Sequence, residues 1–263
     1  MTPRLQTSNL SVSYGGVRAL AGVDVEVREC QLVGLIGPNG AGKTTWIDAV
    51  SGFVPSTGEI RLDGQPITAM TAASRARAGL GRTWQAAELF DDLTVRENLA
   101  VAADRRPMWR LVRDALTGRE LDPPSVDSTL ELLGIGDLAD AAADELTQGQ
   151  RKLVGVARAL APGPRIVCLD EPAAGLDTTE SEWLGRRLRD VVDGGTAMLL
   201  VDHDMGLVLA VCDWVVVLEF GRVIANGPPE AVRRDPRVIE AYLGSAADEA
   251  RSAVDPSAIG TKS

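Results

Sequence analysis

Apolar and polar residues alternate from Leu5 to Tyr14 and again from Val23 to Val27. That is the pattern of antiparallel strands with one face buried and the other in water. Glu59 to Leu62, followed by the turn pair Asp63-Gly64, predicts another short strand. From Leu32 onward the pattern changes. Leu32–Ile36, Ile166–Leu169 and Ala197–Val201 are continuous apolar runs. Helical segments separate them, which predicts a parallel sheet covered on both faces. Between Gln85 and Leu146 the strand pattern vanishes. There Thr94-Val95-Arg96-Glu97 is a capping box opening a helix, and Val126 to Leu133 is an amphipathic helix stopped by Gly134. The expected architecture is an α/β core of mostly parallel sheet flanked by helices, with an N-terminal antiparallel β subdomain and an inserted helical subdomain.

Composition narrows the class. A chain of 263 residues, 45% hydrophobic, can bury a sizeable core. Its formal charge of −10 argues against a broad nucleic-acid surface, which needs Lys and Arg to neutralise phosphates. No run approaches the roughly 18 apolar residues of a membrane span, and Trp214 to Leu218 has only the length of a buried strand. Met1-Thr2-Pro3-Arg4 lacks the apolar stretch of a signal peptide, so the expectation is a soluble cytoplasmic protein. Cys30, Cys168 and Cys212 are too few and too widely spaced to suggest a disulfide framework or a zinc site. Cys168, inside an apolar run, reads as a buried structural thiol.

Candidate chemistry begins right after Leu32–Ile36. Gly37-Pro38-Asn39-Gly40-Ala41-Gly42-Lys43-Thr44 fits the phosphate-loop pattern G-x-x-x-x-G-K-[ST] without mismatch, between that strand and a helix running from Thr45 to Val50 and stopped at Gly52. Inward-turned N–H groups and the helix N-terminus favour polyphosphate. Lys43 would reach the β- and γ-phosphates, and the Thr44 hydroxyl would take a Mg²⁺ position. The run Ile166–Leu169 ends in Asp170-Glu171. Asp170 suits a Mg²⁺ shell, and Glu171, one residue further out, suits the polarisation of an attacking water. Thr147 precedes a helical run from Arg151 to Ala161 and reads as an N-cap with Gly149 beside it. His203, the chain's one histidine, follows the strand Ala197–Val201.

These segments in this order resemble the ATP-binding-cassette (ABC) ATPases. Leu146-Thr147-Gln148-Gly149-Gln150 is similar to that family's signature L-S-G-G-Q: Thr147 keeps the hydroxyl, Gly149 is retained, and Gln148 stands where a glycine is usual. The resemblance implies a phosphate-loop NTPase fold for residues 5–244, with the helical subdomain at about 86–150. It implies ATP held by Gly37, Pro38, Asn39, Gly40, Ala41, Gly42, Lys43, Thr44 and Thr45, with Tyr14 stacked on adenine unless Tyr14 is simply a half-buried strand residue. Gln85 of Thr83-Trp84-Gln85 matches the glutamine that links metal and γ-phosphate to a membrane partner. His203 matches the switch histidine at the γ-phosphate, and Asp177 of Ala174-Gly175-Leu176-Asp177 matches the acidic residue of a loop that touches the opposite subunit. Mg²⁺ would lie among Thr44, Gln85 and Asp170, with Glu171, His203 and Gln85 catalytic. Thr147, Gly149 and Gln150 would close on the ATP of a second cassette, in a homo- or heterodimer.

The stretch from Gly79 to Leu99 and the ending Gly221 to Gly244 look like the ATPases of branched-chain (hydrophobic) amino-acid importers, although urea importers and lipopolysaccharide-export ATPases share parts of this ending. The resemblance implies a peripheral protein at the cytoplasmic face of the membrane. Its partners would be integral-membrane permease subunits and, indirectly, a solute-binding protein, with no nucleic acid. A soluble ABC mechanoenzyme is the other class. A chromosome-structure type needs long heptads between loop and signature, and the roughly 100 residues here carry none. A translation factor usually has two cassettes in one chain, and one phosphate loop is present. Between Asp104 and Ser125, Arg105, Arg106, Arg110 and Arg113 surround Met108, Trp109, Leu111 and Val112. That fits either a helix touching a membrane or partner, or a solvated helix packed on the subdomain. Residues 245–263, poor in large apolar residues, are expected to be disordered.

Overall fold

The computed structural model describes residues 2–83, 89–104 and 124–243. Trp84 and Gln85, most of the arginine-rich segment, and the 245–263 tail lie outside the described residues.

Two sheets organise the chain. The first is antiparallel, in the order β2-β1-β4-β5, from β1 (Leu5–Tyr14), β2 (Val17–Val27), β4 (Thr57–Leu62) and β5 (Gln65–Pro66). The second has the order β10-β9-β3-β8-β7-β6, from β3 (Leu32–Ile36), β6 (Leu80–Arg82), β7 (Ile166–Asp170), β8 (Ala197–Val201), β9 (Trp214–Glu219) and β10 (Arg222–Gly227). All neighbours in it pair in parallel except β9 with β10. All five residues of β3, of β7 and of β8 are buried, which is why these strands read as unbroken apolar runs.

Alternation along those central strands feeds two cores. Val33, Leu35, Cys168, Leu199 and Val201 pack with the antiparallel sheet and with Trp46, Ile47, Ala49 and Val50 of α1 (Lys43–Ser51). Leu32, Ile36, Val167, Leu169, Met198 and Leu200 pack on the opposite side against the helices that follow β6. The helix α1 therefore lies between two sheets, fixed by apolar contacts on both sides. Burial pushes the Cys168 thiol up to about 12, as expected for an inert core cysteine.

After α2 (Ala72–Ala78), the described part of the region between β6 and the signature contains α3 (Val95–Ala103), α4 (Pro124–Leu133) and two 3₁₀ turns. Thr94 caps α3 through a reciprocal box with Glu97. Next come α5 (Gln148–Leu160), α6 (Thr178–Asp193), α7 (Met205–Val211) and α8 (Pro229–Val232), with residues 236–243 also helical. Several boundaries move from the sequence expectation. α5 begins at Gln148 rather than Arg151, because Thr147 and Gln150 form a capping box that draws the signature into the first turn. β2 begins at Val17 rather than Val23: its pairing with β1 shifts register repeatedly, so its first half lacks the alternation that marks a strand.

Candidate active site

The parallel register sets the C-terminal ends of β3, β7 and β8 side by side, since β8 pairs with both β3 and β7 and Asp170 lies opposite Val201. In open α/β sheets ligands bind at this edge. The loop from Gly37 to Gly42 leaves β3 there and enters α1. A Cβ at Gly37 would run into the Leu218 carbonyl oxygen, and Gly42, with φ 105°, stands where only glycine is unstrained. The turn between β9 and β10 braces the loop: Gly221 N–H donates to Ala41 O at 3.0 Å, and Ala21 N–H donates to Gly221 O at 2.8 Å. Lys43 is buried and donates to Gly37 O at 2.6 Å and Pro38 O at 3.1 Å. Burial lowers its ammonium below the usual lysine range, while Glu171, Asp170 and Asp202 pull the other way. Thr44 is exposed and Thr45 half-buried on the first turn of α1, and Asn39 and Gly40 are exposed beside them.

Asp170 ends β7 at 2% exposure. Its backbone N–H donates to Thr83 Oγ1 at 3.0 Å, and its Oδ2 faces Arg82 Nη2 at 3.3 Å. Arg82 also donates to Asp48 Oδ1 at 2.6 Å. Burial raises the Asp170 carboxyl, and Arg82 opposes that rise. Breaking a buried pair from one side costs about 3–5 kcal/mol. The Oδ1 of Asp170 is buried and accepts no hydrogen bond among the described residues. An orphaned carboxylate oxygen at the mouth of a phosphate loop fits a divalent cation. No group of three or more His, Cys, Asp or Glu among the described residues could hold a metal ion by itself, so a cation here would also need hydroxyl, amide, water or phosphate oxygens.

Glu171 turns sharply out of β7 with φ 48°, a left-handed conformation that is costly for a side chain of its size, and its N–H is held by Val201 O at 2.8 Å. The turn brings its Oε1 to 3.8 Å from His203 Nδ1. His203 is in turn set by Asp202, fully buried, whose Oδ1 accepts the N–H groups of His203 at 2.8 Å and Asp204 at 3.0 Å. Asp204 then caps α7 through Gly206 and Leu207. Burial raises the Asp202 carboxyl, and these backbone donors, with His203, resist the rise.

The signature forms the start of α5. Thr147 Oγ1 accepts from Gln150 N–H at 3.3 Å, and Gln150 Oε1 accepts from Thr147 N–H at 2.9 Å. A Cβ on Gly149 would stand 2.7 Å from Glu180 Oε1, so α5 starts against α6, which Asp177 and Glu180 cap by another box. Gln148 occupies the space beside Gly175, where a Cβ would meet its Nε2 at 2.5 Å. Tyr14 ends β1, half exposed.

The structure thus gathers Gly37–Thr45, Asp170, Glu171 and His203 at one sheet edge and sets Thr147–Gln150 beside Asp177. Gln85 falls outside the described residues. Sequence reading did not select Asp48, Arg82, Thr83 or Asp202. A lone arginine or an aspartate beside a histidine carries no pattern, and only the β6–β7 pairing reveals that Arg82 meets a carboxylate 88 positions away.

A phosphate loop, an acidic strand end and a polar turn from the adjacent strand define the class, a nucleotide-hydrolysing phosphate-loop domain. The comparisons give the family. Residues 20–174 match the model of the ABC transporter family, and residues 222–248 match that of the branched-chain amino acid ATP-binding cassette transporter. The chain is 39% identical over 256 residues to the high-affinity branched-chain amino acid transport ATP-binding protein BraF of Pseudomonas aeruginosa, covering 93% of this chain and 99% of that one. It is 35% identical over 241 residues to the lipopolysaccharide export system ATP-binding protein LptB of Escherichia coli, covering 91% and 97%. An ATP-binding cassette of an ABC transporter, solved in its ADP conformation, superposes with a TM-score of 0.81 at 29% identity, covering 93% of this chain and all of that one. The chain belongs to the ABC transporter family and is its ATP-binding, ATP-hydrolysing subunit. No helix among the described residues is long and apolar enough to cross a membrane.

Proposed function

We propose that this subunit energises import of branched-chain or other hydrophobic amino acids from the cytoplasmic face of the membrane. It would be docked on integral-membrane permease subunits, supplied by a solute-binding protein, and paired with a second cassette that is identical to it or related. The observation that carries this reading is the match of residues 222–248 to the branched-chain amino acid cassette model, together with the near full-length similarity to BraF. In the same ending, burial pushes the Tyr242 phenol up to about 12, and the Gly37 backbone beside it pulls the other way.

In this reading the phosphate loop holds the ATP phosphates with its N–H groups and with Lys43, whose buried ammonium faces Asp170, Glu171 and Asp202. Tyr14 offers a half-exposed ring to the base. The Thr44 hydroxyl, Asp170 Oδ1 and Gln85 would hold Mg²⁺, which would supply neutralisation of charge developing on the phosphates. Glu171 orients the attacking water and accepts its proton, held in place by the strained turn at its own φ. His203, on the turn built by Asp202, meets the γ-phosphate. Thr147, Gly149 and Gln150 present the N-terminus of α5 to the ATP of the opposite cassette, adding donors where charge develops. ATP then favours a closed pair through contacts that the open pair lacks, and hydrolysis removes that preference.

Reconstitution in proteoliposomes with the co-purifying permease subunits and binding protein tests the cargo. Leucine, isoleucine or valine should stimulate ATPase activity severalfold. Stimulation by a lipopolysaccharide precursor and by none of the amino acids would favour export instead, the role named for the relative LptB.

A further inference from the structure

We infer that Arg82 is a positioning residue for the cation site: it fixes which Asp170 oxygen faces the metal and ties the Asp170 carboxylate to the helix carrying Thr44. The inference rests on the reading of Asp170 as a Mg²⁺ ligand. Arg82 ends β6 and is almost fully buried, with one arm on Asp170 Oδ2 at 3.3 Å and the other on Asp48 Oδ1 at 2.6 Å. Its neighbour Thr83 grips the Asp170 backbone, accepting the Asp170 N–H at 3.0 Å while donating its own N–H to Cys168 O at 3.0 Å. With backbone and Oδ2 both held, the rotation of the carboxylate is set, and Oδ1 is the oxygen left without a hydrogen bond among the described residues.

Asp48 gives the contact its reach. It lies on α1, one turn beyond Thr44, so a single planar group spaces the strand that supplies Asp170 from the helix that supplies the hydroxyl. The Phe53 ring, 5.6 Å from Arg82 Cζ, packs on the guanidinium. A guanidinium fork can hold two carboxylates at a fixed separation, whereas an ammonium acts as a point charge and cannot. Groups that orient a metal ligand typically change metal affinity by about 10–100-fold when removed.

The test uses the full chain with Mn²⁺ in place of Mg²⁺ and a non-hydrolysable ATP analogue. Free Mn²⁺ is followed by electron paramagnetic resonance, and analogue affinity is measured separately in EDTA. Asp170→Asn should weaken Mn²⁺ binding by tenfold or more, Arg82→Met by about tenfold, and Arg82→Lys by about threefold. Analogue affinity in EDTA should stay within about twofold throughout. Wild-type Mn²⁺ affinity in both Arg82 variants, with the loss confined to Asp170→Asn, overturns the positioning role and leaves the Asp170 reading standing. An unchanged Asp170→Asn overturns that reading and the inference with it. If Arg82→Met lowers analogue affinity in EDTA as much as Mn²⁺ affinity, Arg82 merely supports the phosphate loop and the inference fails. Where Arg82→Met does not fold, as judged by thermal melting, Arg82→Lys decides: a loss of metal affinity supports the role, and wild-type affinity refutes it.

Discussion

The two parts of the proposed site treat their polar groups in opposite ways. At the ends of β3, β7 and β8, charged side chains are buried and left only partly satisfied: Lys43 rests on loop carbonyls, and Asp170 Oδ1 has no hydrogen-bond partner among the described residues. At the start of α5, Thr147 and Gln150 satisfy one another in an exposed capping box. Desolvated groups without full partners cost stability and are kept where a ligand completes them. A self-satisfied helix N-terminus costs nothing while it waits and still offers its dipole to an anion. The difference separates a part built around its nucleotide from a part that can meet one arriving with another molecule.

Predictions that probe this contrast run from large to small. Glu171→Gln keeps the shape of the strained turn but removes the base. Turnover should fall by about 100–1000-fold with ATP affinity retained and an ATP-bound dimer accumulating, as read by phosphate release and light scattering. Near-normal hydrolysis would remove Glu171 from the role. Gly37→Ala, which forces a methyl into the Leu218 carbonyl, should lower the melting temperature by about 2–8 °C through an overpacking cost of about 1–2 kcal/mol and weaken ATP binding as well, whereas the start of α5 should be untouched. A normal melting curve would mean that the loop can shift away from β9.

The smallest effect lies outside both parts, at Asp63. Burial alone would raise its carboxyl, but hydrogen bonds from Arg165 and Arg4 outweigh that and hold it below the usual carboxylate range. A depressed folded-state pKa contributes stability above the unfolded value of about 4, and that stability is lost as pH falls through the folded value. Asp63→Asn should therefore melt about 1–4 °C lower at pH 7, a screened contribution of about 0.5–1 kcal/mol, and the gap should close as the pH falls below 4. A gap that persists in acid would locate the effect in packing.

Much of this organisation was legible in the order of residues. The phosphate loop, Asp170-Glu171 and the continuous strands announce themselves because each is dictated by local spacing or by burial on both faces. Other parts carry no local signal. Ala72–Ala78 forms α2 without an apolar stripe, and Leu80–Arg82 is too short to show a period. The first half of β2 is obscured by its register shifts. In sequence Asp202 is one more acid beside a histidine, and its burial shows that it builds the turn. Arg82 owes its importance to strand pairing across the sheet, which no window of sequence contains.

In the proposed dimer the start of α5 completes a site on another cassette rather than its own. Gly149→Asp tests it most directly, with ATP affinity and steady-state turnover measured on the same preparation. Turnover should fall by at least about tenfold, the scale of losing transition-state contacts worth about 1.4 kcal/mol or more, with ATP affinity within about twofold of the parent. Parallel loss of affinity and turnover would contradict it, placing both parts of the site on a single chain.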